Sequence, residues 1–277
     1  MTRSVCAVLL IALAGAAVAG CGTASDTGGA VRVAAATAAD SSSAASRCIR
    51  SAQRHDIGGV IAYVPRSLPK RPALLLAFHG MHTAASEFEA WSGLDKVAAS
   101  RGFIVAYPSA TNDERWQLND NDGEDDVENV SKVIDLLVSR TCADPKRVYL
   151  TGHSNGAGFA FRAGCDLRDK VAAIAPVSGS YATQDECPAG AMPTIEIHGE
   201  DPWTYTVSRL VSDMRRRNNC TKPSVTTRMA PGITRTVWPG CNLKRIYNRN
   251  VGHVWPQTGP YNTGAEVWKF VSRYRLR

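Results

Sequence analysis

The chain has 277 residues, of which 44% are hydrophobic and 21% charged. That is enough for a substantial core and too apolar for an overall disordered chain. The net charge of +7 comes from Lys and Arg scattered along the sequence apart from Arg215-Arg216-Arg217, a triplet suited to a solvated helix end, so no nucleic-acid partner is expected.

Residues 1–20 carry one charge, Arg3, ahead of an apolar run from Val5 to Val18. This is the layout of a secretory signal peptide and is too short for a membrane span. The run ends in Val18-Ala19-Gly20-Cys21, which resembles the lipobox of bacterial lipoproteins. The resemblance implies cleavage before Cys21 and lipidation of Cys21, which would hold the protein to the extracytoplasmic face of a membrane. Ordinary cleavage nearby would release a secreted protein instead. Residues 21–46 then read as the lipidated cysteine and a flexible linker rich in Ala, Ser, Thr, Gly and Asp. Residues 47–277 form one folded domain, expected to be monomeric.

Cys6 leaves with the signal and Cys21 is lipidated, so six cysteines remain: Cys48, Cys142, Cys165, Cys187, Cys220 and Cys241. In an oxidising compartment an even set reads as three disulfides, with fifteen possible connectivities. Local closeness favours Cys220 with Cys241 and Cys165 with Cys187, which leaves Cys48 with Cys142. No C-x-x-C or H-x-x-x-H spacing is present, so neither a metal nor an organic cofactor is expected.

Within the domain, short apolar runs alternate with segments of helical period, which predicts an α/β fold with a mainly parallel sheet covered on both faces. Gly59 to Val64, ending at Pro65, reads as an early strand. Ala73 to Phe78 is a continuous apolar run of the kind that forms a buried central strand, stopping at His79-Gly80. Phe88, Trp91, Leu94 and Val97-Ala98 recur at helical spacing and are closed by Gly102. Phe103 to Tyr107 is the next strand and Val127 to Leu137 a helix. Asp120, Asp122, Glu124, Asp125 and Asp126 lack the calcium-loop spacing of an EF-hand and read as a solvated loop with an acidic helix start at Asp125 or Asp126. Lys146 to Leu150 leads into Thr151-Gly152-His153-Ser154-Asn155-Gly156, after which Phe159 to Ala163 continues as a helix. Val171 to Val177, Thr194 to His198 and Leu243 to Tyr247 are later strands, and Gly264 to Tyr274 is a closing helix. The gap from Gly179 to Pro193 is too short for a large lid domain.

The G-x-S-x-G spacing at Gly152, Ser154 and Gly156 has a steric cause. A serine at a sharp strand-to-helix turn brings the residues two before and two after it into close approach, where only very small side chains fit. A serine hydroxyl is a weak nucleophile and needs a base, an acid that orients the base, and oxyanion donors. Ser154 is the candidate nucleophile. Asp201, directly after the strand ending at His198, is the candidate acid, with Glu200 its neighbouring competitor. His253, past the last strand and downstream of both, is the candidate base. The backbone N–H groups of Asn155 and Met81 are the candidate oxyanion donors, the second from the loop after His79-Gly80. His79 is a further site candidate, although a loop-shaping role fits it better, and Trp116, Trp203 and Trp255 are candidates to line a substrate cleft.

His79-Gly80, the Gly152 to Gly156 elbow, His198-Gly199-Glu200-Asp201-Pro202 and Gly252-His253-Val254-Trp255-Pro256 together resemble the polyhydroxybutyrate depolymerase and feruloyl or acetylxylan esterase group of the α/β-hydrolase superfamily. The likeness runs from about Gly58 to Trp268 and includes Asp125-Asp126-Val127 and the Cys220 and Cys241 pair. Met81 stands where the group often has cysteine, Ala157 replaces a frequent second glycine, and the acid loop is one residue shorter. The resemblance implies an α/β-hydrolase fold without a large lid and a serine esterase with a polymeric or bulky ester substrate, such as a polyhydroxyalkanoate or an acylated polysaccharide. A serine peptidase of the same fold and a non-catalytic binding lipoprotein are the rival readings.

Overall fold

The computed structural model describes residues 48–111, 115–119, 126–179, 191–257 and 261–277. The signal, Cys21 and the linker fall outside these residues, as do Asp120, Asp122, Glu124, Asp125 and Cys187. The strands are β1 (Gln53–Ile57), β2 (Val60–Val64), β3 (Leu74–Phe78), β4 (Ile104–Tyr107), β5 (Val148–His153), β6 (Ala173–Val177), β7 (Thr194–Gly199), β8 (Val225–Ala230), β9 (Ile233–Trp238) and β10 (Leu243–Asn248). The helices are α1 (Ala85–Ser92), α2 (Leu94–Arg101), α3 (Asp126–Thr141), α4 (Asn155–Asp166), α5 (Thr204–Arg217) and α6 (Thr263–Val271).

Among the described residues the strands form one sheet in the order β1-β2-β4-β3-β5-β6-β7-β10-β9-β8. From β4 through β10 neighbouring strands are parallel, and antiparallel strands close both edges. The parallel strands are apolar because they are covered on both sides. Every residue of β3 is buried. Leu74, Leu76 and Phe78 enter one core with residues of α3, α4 and α5, while Leu75 and Ala77 enter the other with residues of α1, α2 and α6. At the first edge, β1 turns into β2 through Gly58 (φ 64°) and Gly59 (φ 85°), a two-residue hairpin whose positive φ at both positions suits glycine.

The single helix expected from Phe88 to Gly102 is two, because Gly93 adopts φ 69° and ends α1 before α2 begins. The strands β1, β8 and β9 were not expected. The Arg215-Arg216-Arg217 triplet closes α5, where positive charge complements the helix dipole. Asp126 starts α3 as expected, with its side chain buried and accepting from Thr111 N and Oγ1 at 2.8 and 2.9 Å and from Gln117 N at 2.8 Å. It therefore ties down the segment carrying Trp116. Disulfides join Cys48 to Cys142 and Cys220 to Cys241.

Candidate active site

Ser154 sits at the bend between β5 and α4 with φ 56° and ψ −118°. For a non-glycine residue such backbone costs roughly 1–3 kcal/mol and persists only where its surroundings fix it. A Cβ on Gly152 would lie 2.3 Å from the carbonyl oxygen of Gly156, and one on Gly156 would lie 2.3 and 2.4 Å from those of His79 and Phe78. Gly152 thus clears the start of α4, and Gly156 lets α4 rest against the end of β3. Ser154 N donates to Val177 O at 3.1 Å, and Ser154 O accepts from the amides of Ala157 and Gly158 at 3.0 and 3.2 Å, which pins the bend from both strand and helix.

The parallel register brings the carboxyl ends of β5 and β7 to one sheet edge, where ligand sites gather in open α/β sheets. There His253 Nε2 lies 2.8 Å from Ser154 Oγ and His253 Nδ1 lies 2.9 Å from Asp201 Oδ2. With its proton on Nδ1, His253 donates to the carboxylate and accepts the serine hydroxyl. The acid and histidine loops meet because Gly199 has no side chain: a Cβ there would lie 2.3 Å from Gly252 O and 2.5 Å from Val251 O. Glu200, the competing acid, accepts from the Tyr247 hydroxyl instead.

Asp201 is 3% exposed at its side chain. Burial alone pushes its carboxyl up, but hydrogen bonds from His198 and His253, the His198 charge and the Trp203 amide outweigh that and hold it below the usual carboxylate range. Burial and then the charge of His253 lower the pKa of His153, next to the serine, to about 4, so its imidazole stays neutral near neutral pH. Its ring meets the ring of Trp91 edge-on at 5.5 Å, a contact the sequence did not reveal.

As the first residue of α4, Asn155 offers a backbone N–H with no intrahelical acceptor. Its side chain braces the site: Oδ1 accepts from Trp116 N at 2.6 Å and Nδ2 donates to Trp116 O at 3.1 Å. Gly80 passes close to the serine, so that a Cβ on it would lie 3.6 Å from Ser154 Cβ, and Met81 follows.

Three of the candidates for substrate contact lie buried, His79 in the loop-shaping place expected for it. His79 is buried, donates from Nδ1 to Gly80 O at 2.8 Å and accepts the Ala110 amide at Nε2. Trp116 is buried, donates to His79 O at 3.1 Å and stacks on Phe159. Trp255 is buried and donates to Ser92 O at 3.0 Å. All three shape the loops from beneath, and of the four candidates only Trp203 presents an exposed ring. Among the described residues no group of three or more His, Cys, Asp and Glu side chains is placed to hold a metal ion, and no helix is long and apolar enough to cross a membrane.

A family model described as "Esterase PHB depolymerase" matches residues 60–209. A bifunctional acetylxylan esterase/xylanase of Neocallimastix patriciarum is 29% identical over 227 residues, covering 77% of this chain and 33% of the relative. Feruloyl esterase B of Piromyces equi is 32% identical over 139 residues, covering 47% of this chain and 26% of the relative. Poly(3-hydroxyalkanoate) depolymerase C of Paucimonas lemoignei is 29% identical over 125 residues, covering 42% and 30%. The chain therefore spans a third or less of the length of these three relatives. Among solved structures, an acetyl xylan esterase from Aspergillus awamori superposes with a TM-score of 0.64 at 18% identity, covering 79% of this chain and 98% of that one. With the sheet order above, that likeness makes the fold an α/β-hydrolase fold.

Proposed function

The chain belongs to the esterase PHB depolymerase family, and from that premise we propose that it is a serine carboxylic-ester hydrolase working through Ser154, His253 and Asp201. The observation that carries this reading is the unbroken hydrogen-bonded line from Ser154 Oγ to His253 Nε2 and from His253 Nδ1 to Asp201 Oδ2, at 2.8 and 2.9 Å.

Ser154 Oγ attacks the ester carbonyl carbon as its proton passes to His253 Nε2, and the Asp201 carboxylate stabilises the imidazolium that forms. The carbonyl oxygen, now negative, is received by the backbone N–H groups of Asn155 and Met81 at the positive end of α4. Collapse breaks the bond to the alkoxy oxygen, which takes the proton from His253 and leaves as an alcohol. Water then gives a proton to His253, its oxygen attacks the acyl carbon, and the returned proton restores Ser154 as the acid departs.

The large apolar side chains exposed among the described residues are Met81, Trp91, Trp203, Val225 and Val254. All but Val225 adjoin the site: Met81 is the proposed oxyanion donor, Trp91 contacts His153, and Trp203 and Val254 follow the acid and the base. An apolar rim around the nucleophile supports an ester with a broad apolar face, of the polyhydroxyalkanoate type. An acetylated or feruloylated polysaccharide is the second reading, supported by the relatives named for those substrates. The Cys48–Cys142 and Cys220–Cys241 disulfides suit an oxidising compartment and support the reading of residues 1–20 as an export signal, while attachment through Cys21 is supported by the lipobox-like Val18-Ala19-Gly20-Cys21 alone.

Ser154→Ala tests the proposal. Hydrolysis of p-nitrophenyl acetate should fall at least about 10³-fold with the melting temperature retained. Near-wild-type turnover by the variant would overturn it. A panel of polyhydroxybutyrate film, acetylated xylan and a feruloylated sugar separates the substrate readings.

A further inference from the structure

The triad does not end at Asp201. His198 is fully buried and lies two residues from Glu196 on β7, so both side chains emerge from one face of the sheet. His198 Nε2 is 2.9 Å from Asp201 Oδ1, the carboxylate oxygen that His253 does not use, and His198 Nδ1 is 3.3 Å from Glu196 Oε1. Glu196 is 1% exposed, and its other oxygen lies 3.2 Å from Arg245 Nε. Arg245 stands opposite Glu196 in the β7 and β10 register, and Tyr247 stands opposite His198.

We infer that His198 is a positioning residue: clamped between the carboxylates of Glu196 and Asp201 it keeps both ring protons, and thereby fixes the orientation of the triad acid and limits the charge that acid presents to His253. The inference rests on the triad reading above, because His198 acts on Ser154 only through Asp201 and His253.

Two arguments lead there. The first is placement. Nε2 is hydrogen-bonded to Asp201 Oδ1, while Nδ1 and Glu196 Oε1, 3.3 Å apart, make a buried charge contact without hydrogen-bond geometry; a neutral imidazole would turn one bare lone pair towards a carboxylate, whereas an imidazolium offers a proton on each side. The second is charge balance. Taking a buried ion out of water is costly unless it is paired, and here two carboxylates face two cations, His198 and Arg245. Burial alone would lower the His198 pKa, but the nearby Glu196 and Asp201 carboxylates, the second hydrogen-bonded to Nε2, outweigh it and raise the pKa. β6 beside β7 is apolar throughout, and the buried side chains of α5 are Val207, Leu210, Val211 and Met214. Tyr247 is engaged by Glu200, and Tyr261 feels the Glu196 charge.

The consequence is a graded acid. Asp201 shares its negative charge between His198 on Oδ1 and His253 on Oδ2. A positive charge on His198 draws on the Asp201 carboxylate and weakens its hold on the imidazolium form of His253.

The test is the pH dependence of kcat/KM for a soluble chromogenic ester, measured for the wild type, Glu196→Gln and His198→Gln. Glu196→Gln keeps an acceptor for Nδ1 and removes the charge that retains the second proton. His198→Gln keeps a donor to Asp201 and removes the positive charge. Both should move the acid limb of the profile to higher pH by about 0.5–1 unit. A limb unmoved in both folded variants would overturn the inference and leave a purely structural cluster. Nitrogen-15 histidine NMR of the wild-type protein gives a readout that does not depend on turnover. One buried ring should show both nitrogens protonated at pH 7, and in Glu196→Gln one of them should become bare. A wild-type His198 with a bare nitrogen at pH 7 would also overturn the inference. Should Ser154→Ala retain activity, the triad reading fails. Should Ser154→Ala be inactive while the limb stays fixed in both variants, only the role of His198 fails.

Discussion

Gly156→Ala is the sharpest probe of how the fold places Ser154, the proposed nucleophile. The new Cβ would lie 2.3 Å from His79 O and 2.4 Å from Phe78 O, both backbone atoms that no rotamer change can clear. Carbon and carbonyl oxygen come no closer than about 3.3 Å even in favourable contacts, so the start of α4 must retreat from the end of β3 by roughly 1 Å. Ser154 is hydrogen-bonded to that first turn through the amides of Ala157 and Gly158, so the retreat carries the serine away from His253. Overpacking of this kind costs about 1–3 kcal/mol of stability, and a 1 Å misplacement of a reacting group costs about 100-fold in rate. Gly164→Ala on the same helix is the control. Its Cβ would lie 2.5 Å from Ile174 Cγ2, a side-chain atom some three turns beyond the serine. It should lose comparable or less stability and keep kcat/KM within about threefold. Urea unfolding and hydrolysis of p-nitrophenyl acetate measure the two effects separately. A Gly156→Ala protein with wild-type kcat/KM, or a Gly164→Ala protein that loses 100-fold, would refute the claim that the glycine serves serine placement rather than general packing.

The disulfides should differ in what they contribute. Cys48 and Cys142 are 94 residues apart and Cys220 and Cys241 are 21 apart, so loop-closure entropy predicts losses of about 4–5 and about 3 kcal/mol when each pair is replaced by serine. Equal losses in urea unfolding, or the reverse order, would count against the entropic account. Asp95 gives a pH-dependent case. Burial pushes its carboxyl up to about 6, with the Tyr107 hydroxyl, donating at 2.7 Å, pulling it back and Glu89 adding repulsion. A folded-state value above the unfolded one means that the fold favours the protonated acid and loses stability as pH rises from about 4 through 6. Asp95→Asn removes that ionisation, so its stability relative to the wild type should improve by about 1–2 kcal/mol between pH 4 and pH 7.5, after allowance for partial exposure. An unchanged difference across that range would show that Asp95 titrates normally.

What could be read from the chain follows from how each residue declares itself. The central strands were legible because burial on both faces leaves continuous apolar runs, as in Ala73 to Phe78. Ser154 was legible because two glycines are forced by contacts of its own bend. The strands β8 and β9 were not. Most of Val225–Ala230 is exposed, and it becomes a strand through pairing with β9 rather than through a hydrophobic pattern. The break between α1 and α2 was hidden because a lone glycine in a helical pattern need not end a helix, and only the φ of 69° at Gly93 decides it. Trp116 and Trp255 look like cleft residues in sequence, since an aromatic beside a catalytic loop reads the same whether its ring faces the substrate or the core.

His198 shows where a stronger sequence inference was available. Thr194-Ile195-Glu196-Ile197-His198 alternates polar and apolar residues, a pattern that on its own assigns the polar positions to solvent. Yet the strand leads directly to the acid of the site and lies between parallel neighbours, and parallel sheets are covered on both faces. The two expectations conflict unless the polar side chains are buried and face partners of opposite charge. Buried Glu and His demand partners of opposite charge, and the next strand supplies Arg245 directly opposite Glu196 while the following loop supplies Asp201. A polar alternation inside a parallel strand is therefore itself a signal of a buried charge network, and in this chain the network ends on Asp201, the proposed triad acid, hydrogen-bonded to His253.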